Sequence, residues 1–171
     1  MKEFIQKHKL FSFYTALMLV IVFIAIFAPW LAPGDAFTSD MSKALQAPSA
    51  QHLFGTDKLG RDVLSRIIYG TQLSLFMGVS IVVIMVSIGT VIGAVAGYFG
   101  GKVEMVLMRL ADIMLSFPGV VLAIAIAGIL GGSIVNTILA LSVVGWAKYA
   151  RLVRSMTLKV RGEEYVTAAV M

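Results

Sequence analysis

Hydrophobic positions in this chain come in long unbroken windows rather than in alternation. Leu10–Gly34, Ile67–Gly101 and Ile113–Ala147 contain no Asp, Glu, Lys or Arg. An apolar run of about 18 or more residues reads as a membrane span, because a helix of that length satisfies its own backbone while crossing hydrocarbon. The first window predicts a span over Leu10–Leu31, with Trp30 at the far interface and Pro33–Gly34 ending it. The second predicts a span over Leu73–Tyr98, with Ile67–Gly70 as an interfacial lead-in. The third is too long for one ordinary span and carries a breaker at Gly131–Ser133, which divides it into two short helices.

Charge sets the direction of these spans. A single helix across the third window would place Lys148, Arg151, Arg154, Lys159 and Arg161 opposite the lysine-rich N-terminus. Two helices return that basic cluster to the same side, as the positive-inside bias requires. The expectation is therefore an all-α, polytopic protein of four transmembrane helices. Its N-terminus, Lys102, Arg109 and the basic cluster are cytoplasmic. The segment between the first two spans lies outside, with Lys43, Lys58, Arg61 and Arg66 set against Asp35, Asp40, Asp57 and Asp62. Lys2, Lys7 and Lys9 before an apolar run resemble a secretory signal, but the run exceeds the about 7–15 residues of a signal core and reads as a retained anchor. The chain closes on RGEEYVTAAVM, Arg161–Met171, whose Glu163 and Glu164 look like the acidic first turn of a cytoplasmic helix. That is the position of a contact surface for a soluble partner.

Composition agrees with a membrane protein. Hydrophobic residues make up 59% of the chain, above the roughly 45–50% of soluble domains, and the mean hydropathy is +0.93. The net charge of +5 is explained by basic residues flanking the apolar windows, so nucleic-acid binding is not expected. The chain has no cysteine, which removes disulfides and Cys-ligated metal without fixing a compartment.

Four stretches could carry function. In Phe54–Gly70, Asp57 is positioned to cap a helix, and Leu59, Val63 and Ile67 recur at helical spacing. Asp57/Arg61 and Asp62/Arg66 form i,i+4 pairs on what reads as an interfacial helix, with substrate docking as the alternative. Gly89, Gly93 and Gly97, with Gly78 before them, make a smooth strip on one helix face where another backbone can approach. Packing within this subunit and packing against a second subunit both fit that strip. In Ala111–Val121, Asp112 reads as a helix N-cap at the mouth of the third span, in preference to an ion ligand, and Pro118 as a static kink within it, in preference to a bend that serves motion. Ser133, Asn136, Thr137 and Ser142 are expected to hydrogen-bond a neighbouring helix, with lining of a pathway as the alternative.

Other chemistry is not encoded. No G-x-x-x-x-G-K-[ST] loop is present to cradle nucleotide phosphates. His8 and His52 both lie outside the spans, no His-x-x-x-His pair exists, and the methionines are scattered. No charge sits mid-span, which argues against a proton-coupled carrier and against a charge-ringed channel. An enzyme is therefore not expected, and no metal or cofactor is assigned to this chain.

HLFGTDKLGRDVLSRIIYG (52–70), GYFGGKVEMVLMRLADIMLSFPGVVLA (97–123) and GWAKYARLVRSMTLKVRGEEYVTAA (145–169) occur in succession. Together they resemble the permease subunits of the peptide/nickel family of ABC importers, from about Ala28 to Met171. The resemblance implies a type I importer permease fold. Residues 1–72 would form an anchor helix plus an extracytoplasmic segment, and 73–171 the first part of the permease core. It marks Gly55, Thr56, Asp57, Gly60, Arg61, Asp62, Asp112 and Pro118 as motif residues. It makes Glu163, Glu164, Tyr165, Thr167, Ala168 and Ala169 the start of the EAA coupling loop, with threonine where many relatives carry glutamate. The implied partners are a second permease subunit, two cytoplasmic ATP-binding subunits that hold ATP and Mg, an extracytoplasmic solute-binding protein and membrane lipid. The location implied is the bacterial cytoplasmic membrane. The implied solute is nickel or a di- or oligopeptide, with GWAKYARLVRS leaning toward nickel-type relatives. Family members continue past the coupling loop into two further spans, so this sequence is expected to be an N-terminal portion. The competing expectation is a four-helix membrane scaffold that transports nothing.

Overall fold

The computed structural model describes residues 9–163. The chain divides into two compact units, Met1–Phe76 and Met77–Met171. Among the described residues the secondary structure is helical, with a single isolated bridge between Thr56 and Asp62.

In the first unit, α1 spans Lys9–Ile26 and a single turn, α2, spans Ala28–Leu31. Pro29 sits in the first turn of α2, where its missing N–H costs nothing. Phe23, Phe27 and Trp30 pack in series, with ring centroids 4.4 and 5.5 Å apart. This is an aromatic anchor of the kind that sits at a membrane interface. An irregular segment follows, interrupted by a short 3₁₀ turn at Met41–Lys43 that Asp40 caps through the Ser42 N–H.

Helix α3 spans Val63–Phe99, 37 residues without a break. At 1.5 Å per residue it is about 55 Å long, well beyond the about 30 Å of bilayer hydrocarbon. The lead-in and the predicted second span are thus one helix. Gly100 and Gly101, with φ of +67° and +55°, turn the chain sharply into α4, Gly101–Ser116. Phe117 is extended because the residue before a proline is barred from the helical region. Pro118 then opens α5, Gly119–Leu130, at 91° to α4. The expected kink is a complete break.

The divide at Gly131–Ser133 falls where the sequence placed it. Gly131 has φ +91°, and the Ser133 hydroxyl caps α6, Ile134–Arg161, by accepting from the Asn136 N–H at 3.0 Å. Asn136 Nδ2 donates back to the Leu130 and Gly131 carbonyls, and the Thr137 hydroxyl to the Ser133 carbonyl. Asn136 thus reaches the end of the neighbouring helix α5, as expected of a polar group here, whereas Ser133 and Thr137 bond within the cap of their own helix. Ser142 is buried, and its hydroxyl has no partner among the described residues.

The expected apolar segments are all helical, though unequal in reach. Among the described residues, only α1 and α3 are long and apolar enough to cross a membrane alone, and α4 with α5 qualify as one bent span. The charge-free part of α6 stops at Ala147, short of the about 20 residues a span needs. Lys148 and Arg151 follow, and α6 does not by itself reach the length and apolarity of a span.

Candidate functional site

The motif residues Gly55, Thr56, Asp57, Gly60, Arg61 and Asp62 are gathered into one knot ahead of α3. Gly55 and Gly60 have φ of +71° and +74°, and a Cβ on Gly60 would collide with the Asp40 carbonyl. Backbone of that hand cannot continue a right-handed helix, so the expected interfacial helix over this stretch begins only at Val63. Asp57 does not cap it. Its carboxylate accepts from the Leu59 and Arg61 N–H groups at 2.8 and 3.0 Å and closes a turn. The cap is Asp62, which accepts from the Ser65 N–H at 2.8 Å.

The ion pairs are also redistributed. Asp57 pairs with Arg61 at 2.9 Å as expected, but Arg66 joins the same carboxylate instead of reaching Asp62. Asp62 is only 2% exposed and faces His52 Nδ1 at 3.0 Å. The Ser65 hydroxyl accepts from the Gly34 N–H at 2.9 Å, tying the chain entering the segment to the helix leaving it. The Thr56 hydroxyl accepts from the Gln46 N–H and donates to the Lys43 carbonyl.

These contacts hold the carboxylates ionised. Burial works to raise Asp57, but hydrogen bonds from Arg61, Leu59 and Arg66 outweigh it and hold its carboxyl below the usual range. Asp62 behaves likewise: burial raises it, and the Ser65 N–H, His52 and the Ser65 hydroxyl together bring it below the usual value. Asp35 is lowered to about 2 by the side chain and N–H of Thr38 and the N–H of Phe37.

In the second unit, the glycine strip of α3 packs on α6. A Cβ on Gly89 would lie 2.8 Å from the Trp146 carbonyl, one on Gly93 2.8 Å from Val153 Cβ, and one on Gly97 2.7 Å from Thr157 Cβ. Such a Cβ would also run into the Ala150 carbonyl at Gly93 and lie 3.0 Å from the Arg154 carbonyl at Gly97, so the strip lets the α6 backbone approach closely, and the contact lies within this chain. No Cβ at Gly78 would meet a neighbour within 4 Å. On the α6 side, Trp146, Ala150 and Arg154 recur every four residues. Trp146, Ala147 and Ala150 form a buried core with Ala111 of α4, flanked by Ile92, Met108, Met114 and Leu115. Gly145, against Met85 of α3, was not singled out in the sequence. It is a lone glycine in a helix, and only the partner explains it.

Two ion pairs join α4 to α6. Arg154 Nε donates to Glu104 at 2.7 Å, half-buried, and Arg151 lies 3.7 Å from Asp112. Asp112 thus stands in the second half of α4 and is not an N-cap. The pattern of α4 begins at Gly101, further back than its apolar window suggested. Neither pair was foreseen, since the partners are some 40–50 positions apart in sequence. Past α6, Gly162 donates to the Leu158 and Lys159 carbonyls and the Glu163 N–H to the Val160 carbonyl at 3.1 Å. Glu164, Tyr165, Thr167, Ala168 and Ala169 lie outside the described residues.

Residues 89–171 match the family described as binding-protein-dependent transport system inner membrane component. Residues 5–48 match the N-terminal TM domain of oligopeptide transport permease C. The chain is 42% identical over 165 residues to a dipeptide transport system permease of Alkalihalophilus pseudofirmus, covering 96% of this chain and 54% of that protein. It is 44% identical over 158 residues to a di/tripeptide transport system permease of Pseudomonas aeruginosa, covering 89% and 52%. It is 38% identical over 150 residues to the nickel transport system permease of Escherichia coli K12, covering 88% and 54%. The chain spans about half the length of the curated relatives it matches. On these matches and its helical membrane architecture, the chain belongs to the peptide and nickel branch of the binding-protein-dependent transport permeases.

Proposed function

We propose that the chain acts as a permease subunit of an ATP-driven importer in the bacterial cytoplasmic membrane, with its N-terminus cytoplasmic. It works beside a second permease subunit, receives solute from an extracytoplasmic binding protein and is driven by two cytoplasmic ATP-binding subunits. The observation that supports this best is α6. It runs 28 residues from an apolar start to a basic end, and is clamped laterally by the α3 glycine strip and by Glu104–Arg154. A helix held in this way moves as a rigid body, so a push at its Arg161 end is carried into the membrane. The segment from Glu163 to Ala169 is the surface that receives the push. The break at Pro118 lets α5 change angle without straining α4, because no helical hydrogen bond crosses Phe117–Pro118.

The solute is a short peptide. Relatives named for dipeptide or di/tripeptide transport run from 36 to 44% identity, with their upper values above the 38% of those named for nickel. Uptake of a radiolabelled dipeptide and of nickel ion tests this in cells that lack other importers and express the chain with its partner subunits. ATP-dependent dipeptide accumulation is expected. Nickel accumulation alone would move the chain to the nickel branch. If neither solute enters while the chain is stable in the membrane, the scaffold reading replaces this one.

A further inference from the structure

We propose that the outer end of α3 carries a binding site for the headgroup of an anionic phospholipid. A cleft of about 560 Å³ opens there, and its lining changes from charged to apolar along one direction. Arg66, Tyr69, Leu73 and Phe76 follow one another along α3, with Arg61 on the same carboxylate as Arg66 and Phe37 against Tyr69. The Phe37 and Tyr69 rings meet edge to face, with centroids 4.9 Å apart, and form a firm wall.

Charge favours an anion at the arginine end. Two guanidiniums share the one Asp57 carboxylate, so most of their N–H donors remain for another acceptor, and a fork of donors suits a phosphate. Asp35, which precedes the cleft residue Ala36, has its carboxylate held by the Phe37 and Thr38 N–H groups. The apolar end lies on a helix of membrane-spanning character. Leu73 and Phe76 are exposed on α3, and α3 is apolar enough to cross a bilayer. A ligand that fits has an anionic head and an acyl body, with its head at the level of Tyr69, where amphipathic rings settle. Free phosphate or an anionic peptide satisfies only the arginine end.

The test uses the chain purified in mild detergent and titrated with phosphatidylglycerol, phosphatidylcholine or inorganic phosphate, with bound lipid counted by native mass spectrometry. Phosphatidylglycerol is expected to be retained in preference to phosphatidylcholine, with inorganic phosphate unable to displace it at tenfold excess. Each guanidinium should contribute about fivefold, so R61Q/R66Q should weaken retention by about 25-fold. F76A, remote from the charged knot and expected to leave folding intact, should weaken both lipids equally and so preserve the headgroup preference. Equal retention of the two lipids by the unaltered chain overturns the proposal, as does displacement by inorganic phosphate. An unchanged preference in a folded R61Q/R66Q variant overturns it as well.

Discussion

Asp62→Ala should loosen the segment ahead of α3 far more than any neighbouring change, because three contacts meet on one buried carboxylate. The substitution removes the cap on the Ser65 N–H, worth about 1 kcal/mol and up to about 2. It also strands His52, whose ring faces the carboxylate at 3.0 Å, and an orphaned part-buried polar group costs about 1–3 kcal/mol. The total is about 2–5 kcal/mol of local stability, or roughly 30- to 5000-fold in the opening equilibrium. Hydrogen exchange followed by mass spectrometry reads this directly. The amides of Gly34, Thr56 and Val63, which donate within the knot, should exchange faster by that factor while α6 amides keep their protection. Asp62→Asn retains a good capping side chain and should lie between the two. Exchange in the segment that is unchanged by Asp62→Ala would refute the reasoning, since the knot would then be held by something other than the buried carboxylate.

Other consequences can be measured separately. Gly93→Leu should separate α3 from α6, because its side chain enters backbone and Val153. Overpacking costs about 1–3 kcal/mol, read as a lower thermal midpoint, whereas Gly78→Leu should be near neutral. A double-mutant cycle on Glu104→Gln and Arg154→Gln should show a coupling of about 1 kcal/mol, and additivity would show the pair to be idle. In Pro118→Ala the bar on Phe117 is lifted, so α4 and α5 can join. Spin labels at Val106 and Ile129 should then move from about 22 Å apart toward about 34 Å, at 1.5 Å rise per residue. Acid should loosen the segment holding Asp35, Asp40, Asp57 and Asp62. All four carboxyls sit below their ordinary values in the folded chain. Their stabilisation is therefore complete above about pH 4 and lost as pH falls through the folded values, near 2 for Asp35. Exchange corrected for the intrinsic rate should rise only on that side.

What the sequence made legible follows from what is local. The apolar windows became helices because span length and backbone satisfaction are properties of the segment itself. Gly131–Ser133 broke the third window because glycine and a capping serine act on their immediate neighbours. Gly89, Gly93 and Gly97 were visible as a strip, but their partner was not, since only the fold brings Trp146, Val153 and Thr157 against them. Asp57 and Asp62 illustrate the limit more sharply. Both precede a helical stripe and both have an arginine four residues on. Their roles differ because Gly55 and Gly60 impose a left-handed turn and because His52 folds back onto Asp62. Asp112 was misplaced for a related reason. It follows a charged stretch that reads as a loop, whereas Lys102, Glu104 and Arg109 already lie within α4, whose Glu104 is held by α6.

The claim on which the functional account rests is that the segment after α6 meets an ATP-hydrolysing partner. A photo-crosslinking residue placed at Ala168, with Phe37 as the control position, tests it in cells that carry the partner subunits. Capture at Ala168 of a soluble protein bearing a phosphate-binding loop, and none at Phe37, is the predicted result. If the same partner is captured from Phe37 and not from Ala168, the orientation and the coupling role are both contradicted.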